Sequence, residues 1–347
     1  MIGTLLVLAA CAPRYGALPA IAPQDLWTPL PVQTVIIDTP ELAGLRVAYS
    51  DSRAAGIAAQ QPDATPLVFV HGLSSTMGFW EYQLPHFAEE RRVLALDLPG
   101  YGMSGKPDAP YTPPWFSEVL LAWMDQLGLD QVIVVGHSMG GQVALTFALA
   151  HPDRVAGLVL AAPAGFERFS PGAAMWMKPY WTEGRALEAR EEELRATFTQ
   201  VVFNRPDPGV ERLLRERVQL GRGEDFKGTS VAVSRSIAGM VDHPVLDRLD
   251  ELDLPTLIVF GTDDKMIPNP VFTGGRTRTV AERGHRAIRG SQLVMLRGAG
   301  HTVHHDAPEA FNEAVDWFLA GTLHAARSPA PSGDALTDAH TPTGGAR

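Results

Sequence analysis

Cysteine is almost missing from this sequence: Cys11 is its only one. An intrachain disulfide is therefore excluded, and so is a metal site built from clustered thiolates. Positive charge is also in short supply. The net charge is −10 over 347 residues, which argues against a nucleic-acid partner, because phosphate binding needs a basic face. No run of like charges is long enough to form an interaction tail. Glu191, Glu192 and Glu193 make a short acidic cluster that reads as the solvated face of a helix. There is no solenoid-type internal repeat. The hydrophobic fraction of 45% is that of an ordinary globular protein with a sizeable core.

The apolar stretch Ile2–Ala10 is about half the ~20 residues a membrane-spanning helix needs. It fits the h-region of a signal segment, although no Lys or Arg precedes it. Its end, Leu8-Ala9-Ala10-Cys11, resembles a bacterial lipobox. That resemblance implies a lipid on Cys11, removal of the preceding residues and membrane attachment in the cell envelope. Ala12, rather than Asp, follows the cysteine and points to the outer membrane; without the lipid the expected address is the cytoplasm. Pro13 to Pro31 is rich in Pro and Ala without period, so residues 1–31 read as signal and tether.

Strand patterns follow. Val32–Asp38 and Leu45–Ser50 alternate apolar and polar residues, as an edge hairpin does. Leu67–Val70, Val93–Leu96, Val132–Val135, Leu158–Ala161, Leu257–Phe260 and Leu293–Leu296 are short continuous apolar runs, suited to strands buried on both faces of a parallel sheet. Helical periodicity lies between them at Trp115–Leu127 and Gln142–Ala150, and after them at Pro308–Leu319, with Asp306 as its expected N-cap. This alternation predicts an α/β fold with a mostly parallel sheet flanked by helices. The core is expected in two parts, residues 32–164 and 250–321. Residues 165–249 read as an inserted helical cap, and 322–347 as a disordered tail of Ala, Pro, Ser, Thr and Gly.

Gly136-His137-Ser138-Met139-Gly140 is a G-x-S-x-G sequence between a buried strand and a helix, the context a nucleophile elbow requires. Four further segments occur in matching order. They are His71-Gly72-Leu73, the run Asp97-Leu98-Pro99-Gly100-Tyr101-Gly102-Met103-Ser104, Gly261 to Pro268, and Gly298-Ala299-Gly300-His301. Together they resemble the α/β-hydrolase fold family over about Val32 to Gly321. The resemblance implies Ser138 as nucleophile, His301 as general base and Asp264 as the acid that orients it, with the backbone N–H groups of Leu73 and Met139 as oxyanion donors. A serine hydroxyl needs such a base, imidazole titrates near neutral pH, and a carboxylate fixes its tautomer.

Competing residues are near at hand. Asp263 neighbours Asp264, but Asp264 stands four before Pro268, where the family places its acid. His304 and His305 suit a helix start or exposure, His71 suits an organiser of the oxyanion loop, and His137 suits packing beside the nucleophile. No histidine–carboxylate cluster has metal spacing, so neither metal nor cofactor is expected. Asn269–Gly290 carries Arg276, Arg278, Arg283, Arg286 and Arg289. It reads as a solvated helix with flanking loops, the alternative being a grip on an anionic substrate. Met175, Trp176, Met177, Trp181, Phe198 and Phe203 could wall an apolar pocket in the cap or pack its helices. The expected activity is hydrolysis of a small apolar carboxylic ester. Carbon–carbon cleavage of vinylogous diketones by the same triad, or a non-catalytic surface-anchored binding protein, are the alternatives.

Overall fold

The computed structural model describes residues 18–57, 59–180, 182–184 and 190–325; Cys11 and Trp181 lie outside these. Eight strands form one sheet in the order β1-β2-β4-β3-β5-β6-β7-β8. They are β1 Val32–Ile37, β2 Leu45–Asp51, β3 Leu67–Val70, β4 Val93–Leu96, β5 Val132–His137, β6 Val155–Ala161, β7 Thr256–Gly261 and β8 Gln292–Leu296. β2 runs antiparallel to both β1 and β4, and every pair from β4 to β8 is parallel. The two alternating segments and the six apolar runs are thus the eight strands. β6 starts three residues before its expected Leu158 and pairs with β5 through a register shift at Val132/Ile133.

The helices are α1 Gln83–Ala88, α2 Pro113–Gln126, α3 Met139–Ala150, α4 Pro171–Tyr180, α5 Glu191–Thr197, α6 Pro208–Leu220, α7 Phe226–Asp242, α8 Thr277–Ala287, α9 Val303–Asp306 and α10 Pro308–Ala325. α2 begins two residues before the expected Trp115, because the Thr112 hydroxyl accepts the Trp115 N–H and prolines suit the first turn. Alternate residues of each parallel strand face opposite sides. Val68, Val134, Leu160 and Ile258 pack with α2, α3 and α8, while Phe69, Val135, Val159 and Val259 pack with α1 and α10. That two-sided burial is why the strands read as unbroken apolar runs.

Between β6 and β7 the described residues contain no strand. α4 to α7, with a π-helical stretch at Phe198–Val202, make up this segment. Its own core joins Phe198, Phe203, Val210, Leu213 and Leu214 to Phe79.

Three expectations change. The tether is not free over its described part: Leu26 and Leu30 are buried, Ile21 N–H donates to Gln219 O, and Trp27 N–H donates to Glu216 Oε1. Enough apolar side chains punctuate the Pro/Ala stretch to hold it against α6. At the other end, α10 continues through Ala325, past the expected boundary at 321, and residues 326–347 lie outside the description. Asp306 does not cap α10; it closes α9 and serves the site below. No helix among the described residues is long and apolar enough to cross a membrane.

Phe69 is fully buried in the sheet centre, with its ring centroid 5.1 Å from that of Trp80 and 6.1 Å from that of Phe87. Phe69→Ala is expected to destabilise the fold by about 3–5 kcal/mol through lost transfer energy and the cavity left behind. Urea unfolding at neutral pH measures it, and a change under about 1 kcal/mol would contradict this packing.

Candidate active site

β3, β5, β7 and β8 deliver their carboxyl ends to one edge of the sheet. The chain reverses its direction of winding between β3 and β5, where open α/β sheets leave a crevice. Ser138 follows the last residue of β5 with φ 52° and ψ −117°, a conformation that side-chain-bearing residues rarely adopt. Its backbone is held from several directions. Ser138 N–H donates to Ala161 O at 3.0 Å, and its carbonyl accepts from Gly141 N–H at 2.9 Å and Ala164 N–H at 2.9 Å. Such over-determination sustains a strained residue. The flanking glycines are there for space: a Cβ at Gly140 would fall 2.2 Å from Val70 O, and one at Gly136 2.5 Å from Gly140 O.

The hydroxyl of Ser138 lies 2.9 Å from His301 Nε2, and His301 Nδ1 lies 3.0 Å from Asp264 Oδ2. Residues far apart in the chain thus form one hydrogen-bonded line. His301 is 3% exposed and Asp264 is buried, whereas Ser138 is half-buried, so the line opens to a ligand at the serine. The second oxygen of Asp264 accepts N–H groups from Met266 at 2.8 Å and Ile267 at 2.9 Å, which aims the first at the imidazole. Asp263, the competing acid, is exposed and accepts the Thr262 hydroxyl instead.

The loop after β3 lies against the nucleophile: a Cβ at Gly72 would sit 3.2 Å from Ser138 Cβ. The N–H of Leu73 makes no backbone hydrogen bond to a described residue. Met139 opens α3, so its N–H has no partner within the helix. Both donors therefore remain for an oxyanion beside Ser138, backed by the helix dipole.

His71, His137, His304 and His305 are buried around this line. His71 Nδ1–H donates to Gly72 O at 2.8 Å while its Nε2 accepts Leu98 N–H at 3.0 Å, tying the loop after β3 to the loop after β4. Burial pushes its pKa down to about 4. His137 Nε2–H donates to His301 O at 3.1 Å, and burial followed by repulsion from His301 holds its pKa well below the usual value. It therefore supports the His301 backbone, a role that packing alone did not suggest. His304 stacks on Trp80 at 4.1 Å between centroids, and His305 is buried too, so exposure does not apply to either.

Sequence reasoning missed Asp306. Its carboxylate accepts N–H groups from Gly300 at 2.7 Å, Asn204 at 3.0 Å and Arg205 at 2.9 Å, joining the His301 loop to the cap. Five residues after His301 and before a helix, it carries no sequence signal that separates this role from capping. Glu167 was missed as well. It accepts from Asn269 N–H at 2.7 Å and from the Thr273 hydroxyl, bracing the segment after Asp264, and burial raises its pKa.

Of the two readings of the cap side chains, packing is the one that fits most of those described. Phe198 and Phe203 pack with Phe79, Met177 is buried in the main core, and Met175 and Trp176 are exposed. Arg278 and Arg286 pair with Glu282 on the exposed face of α8, and Arg283 donates to Phe166 O, as a solvated helix does. No group of three metal-ligating side chains occurs among the described residues.

Residues 67–314 match the sequence model of the alpha/beta hydrolase family. The human 1-acylglycerol-3-phosphate O-acyltransferase ABHD5 is 29% identical over 280 residues, covering 72% of this chain and 76% of that protein. Among solved structures, a probable hydrolytic enzyme from Pseudomonas aeruginosa PAO1 superposes with a TM-score of 0.77 at 25% identity, over 87% of this chain and 98% of that one. A thermophilic esterase from Thermogutta terrifontis gives 0.64 at 25% identity, over 84% and 99%.

A histidine held neutral by burial binds its proton more readily when unfolded. Its contribution is therefore intact above the unfolded pKa of 6.5 and is lost as pH falls toward 4 for His71. Asp97, pushed up to about 6 by burial, acts in the opposite sense. Comparison with His71→Gln isolates the histidine, since the amide keeps one donor and one acceptor. The wild type is expected to lose up to about 1.4 kcal/mol more per pH unit than the variant between pH 6.5 and 4, in urea titrations. Equal slopes would contradict a neutral His71.

Proposed function

The chain belongs to the alpha/beta hydrolase family, and from that premise we propose that it is a serine hydrolase cleaving carboxylic esters with an apolar acyl or alcohol part through an acyl-enzyme at Ser138. The observation that carries this reading is the line Ser138–His301–Asp264, with distances of 2.9 and 3.0 Å and its open end at the serine.

In this reading Ser138 Oγ attacks the ester carbonyl carbon as its proton passes to His301 Nε2. Asp264 stabilises the imidazolium by accepting its Nδ1–H. The carbonyl oxygen, now an oxyanion, receives the N–H groups of Leu73 and Met139; one such donor is worth roughly 10²–10³ in rate. His301 returns the proton to the leaving alcohol oxygen as the C–O bond breaks. Water then repeats the sequence on the acyl-enzyme and releases the acid. The half-buried Leu73, beside Gly72 and Ser138, supports an apolar wall next to the scissile bond. The likeness to a solved esterase supports the ester class.

Ser138→Ala is expected to lose several powers of ten in kcat on a p-nitrophenyl ester chain-length series, with an unchanged unfolding midpoint. Fluorophosphonate labelling at Ser138 gives an independent check. Turnover by the alanine variant comparable to wild type would refute the assignment. A dienoate panel run alongside separates ester hydrolysis from carbon–carbon cleavage.

The sequence before Pro13 adds a proposal on address: lipid attachment at Cys11 in the cell envelope. Mass spectrometry of the native N-terminus is expected to show a diacylated Cys11, and an unmodified Met1 would contradict it.

A further inference from the structure

A cavity of about 490 Å³ lies among the loop after β3, the cap and the N-terminal segment. It belongs to neither the serine nor the imidazole. It shares with them only the loop whose near end, Gly72, abuts Ser138 and whose far end, Ser74 to Thr76, lines the cavity. Ser74 sits at φ 56°, in the left-handed region that favours glycine, as strained residues at ligand sites do.

Two cations line this space, Arg217 from α6 and Lys106 from the loop after β4. Arg217 has no carboxylate within ion-pair distance among the described residues. Its guanidinium lies 4.3 Å over the Phe226 ring, and its hydrogen bond to Ser74 Oγ is long, at 3.4 Å. Burial pushes its pKa down to about 10, with no acidic neighbour offsetting this. Lys106 Nζ donates to Gly102 O and Ser104 O, which uses two of its three protons. Ser75 is 4% exposed, lines the cavity, and its hydroxyl has no partner.

A half-buried cation without a counter-charge and a buried hydroxyl without a partner both carry a cost that an oxyanion between them would offset. The acidic residues do not supply it. Glu224 and Asp225 are exposed at the rim; Asp225 acts on Lys106, but neither pairs with Arg217. Asp97 spends its two oxygens on Met77 N–H and Met103 N–H. The arrangement is therefore cationic inside and anionic at the mouth.

We propose that this cavity binds a phosphoryl oxyanion between Arg217, Lys106 and the Ser75 hydroxyl. A planar guanidinium matches two phosphoryl oxygens, and an ammonium and a hydroxyl complete the set. Free inorganic phosphate and the phosphodiester of a lipid headgroup share this chemistry. In the second case the acidic rim would meet a headgroup ammonium.

Isothermal titration calorimetry on the Ser138→Ala protein tests the site without turnover and independently of the ester reading. The probes are inorganic phosphate and glycerophosphoethanolamine at constant ionic strength in chloride. Saturable binding of at least one is expected, weakened tenfold or more by Arg217→Gln, several-fold by Ser75→Ala, and unchanged by Arg215→Gln on the exposed side of α6. Tighter binding of the diester identifies a headgroup site; tighter binding of inorganic phosphate identifies a free-phosphate site. Circular dichroism melting checks each variant. Should Arg217→Gln not fold, Arg217→Lys, which keeps the charge and loses the fork, takes its place beside Ser75→Ala. No saturable heat from either probe, or undiminished binding in the folded Arg217 and Ser75 variants, would overturn the proposal.

Discussion

Everything at the carboxyl edge of the sheet depends on how closely the turn at Ser138 can approach the end of β3. A Cβ on Gly140 would collide with the Val70 and His71 carbonyls, so the strand–turn–helix joint exists only where glycine removes that atom. The approach has two consequences. It forces Ser138 to φ 52°, lifting its hydroxyl out of the sheet edge, and it brings the loop beginning at Gly72 alongside. The raised Ser138 hydroxyl and the N–H groups beside it are therefore consequences of one steric arrangement. Hydrogen bonds to both the N–H and the carbonyl of Ser138 hold the strain.

The remaining partners reach this joint across long stretches of chain, and buried polar contacts hold them there. His137 carries the His301 backbone, His71 carries Gly72, and Asp264 is itself aimed by Met266 and Ile267. Because the dielectric is low, each such contact is costly to leave half-made, so the site is rigid where it is dry. The same economy of position joins cap to core. Asp306 gathers Gly300, Asn204 and Arg205, and Thr302 bonds Val202 O, so the cap is tied to the loop that bears His301. Close by, Glu81 lies 3.6 Å from His305 and pairs with Arg212, which lies 3.8 Å over the Trp27 ring, fastening α6 and the N-terminal segment to the core. A cap held at both places constrains what can approach Ser138, and the cavity by Arg217 lies within the same joint between cap, core and N-terminal segment.

The sheet was largely legible beforehand, because strands buried on both faces must be apolar throughout and glycine, proline or aspartate must end them. The elbow was legible for a similar reason: a steric requirement over five consecutive residues leaves a local trace. The N-terminal segment was misread because Leu26 and Leu30 gain their burial from α6 and the core, and the Trp27 N–H its partner from Glu216, none of which a local period announces. The cap aromatics were ambiguous because composition cannot say which way a side chain faces; Phe198 and Phe203 turn inward to Phe79, and Trp176 turns to solvent. Asp306 looked like a helix cap because a carboxylate before a helix is the same signal whether it accepts from that helix or from a distant loop.

By itself, the sequence determined the α/β alternation, the order of the strands along the chain and the residues offered as nucleophile, base and acid. These rest on backbone sterics and hydrophobic period, which act over a few residues. Only the tertiary structure decided that Asp306 clasps the cap, that His137 carries the His301 backbone, and that Arg217 is left without a carboxylate among the described residues. Those outcomes depend on where residues tens to more than a hundred positions apart come to rest, a sum over the whole path of the chain that no local window contains.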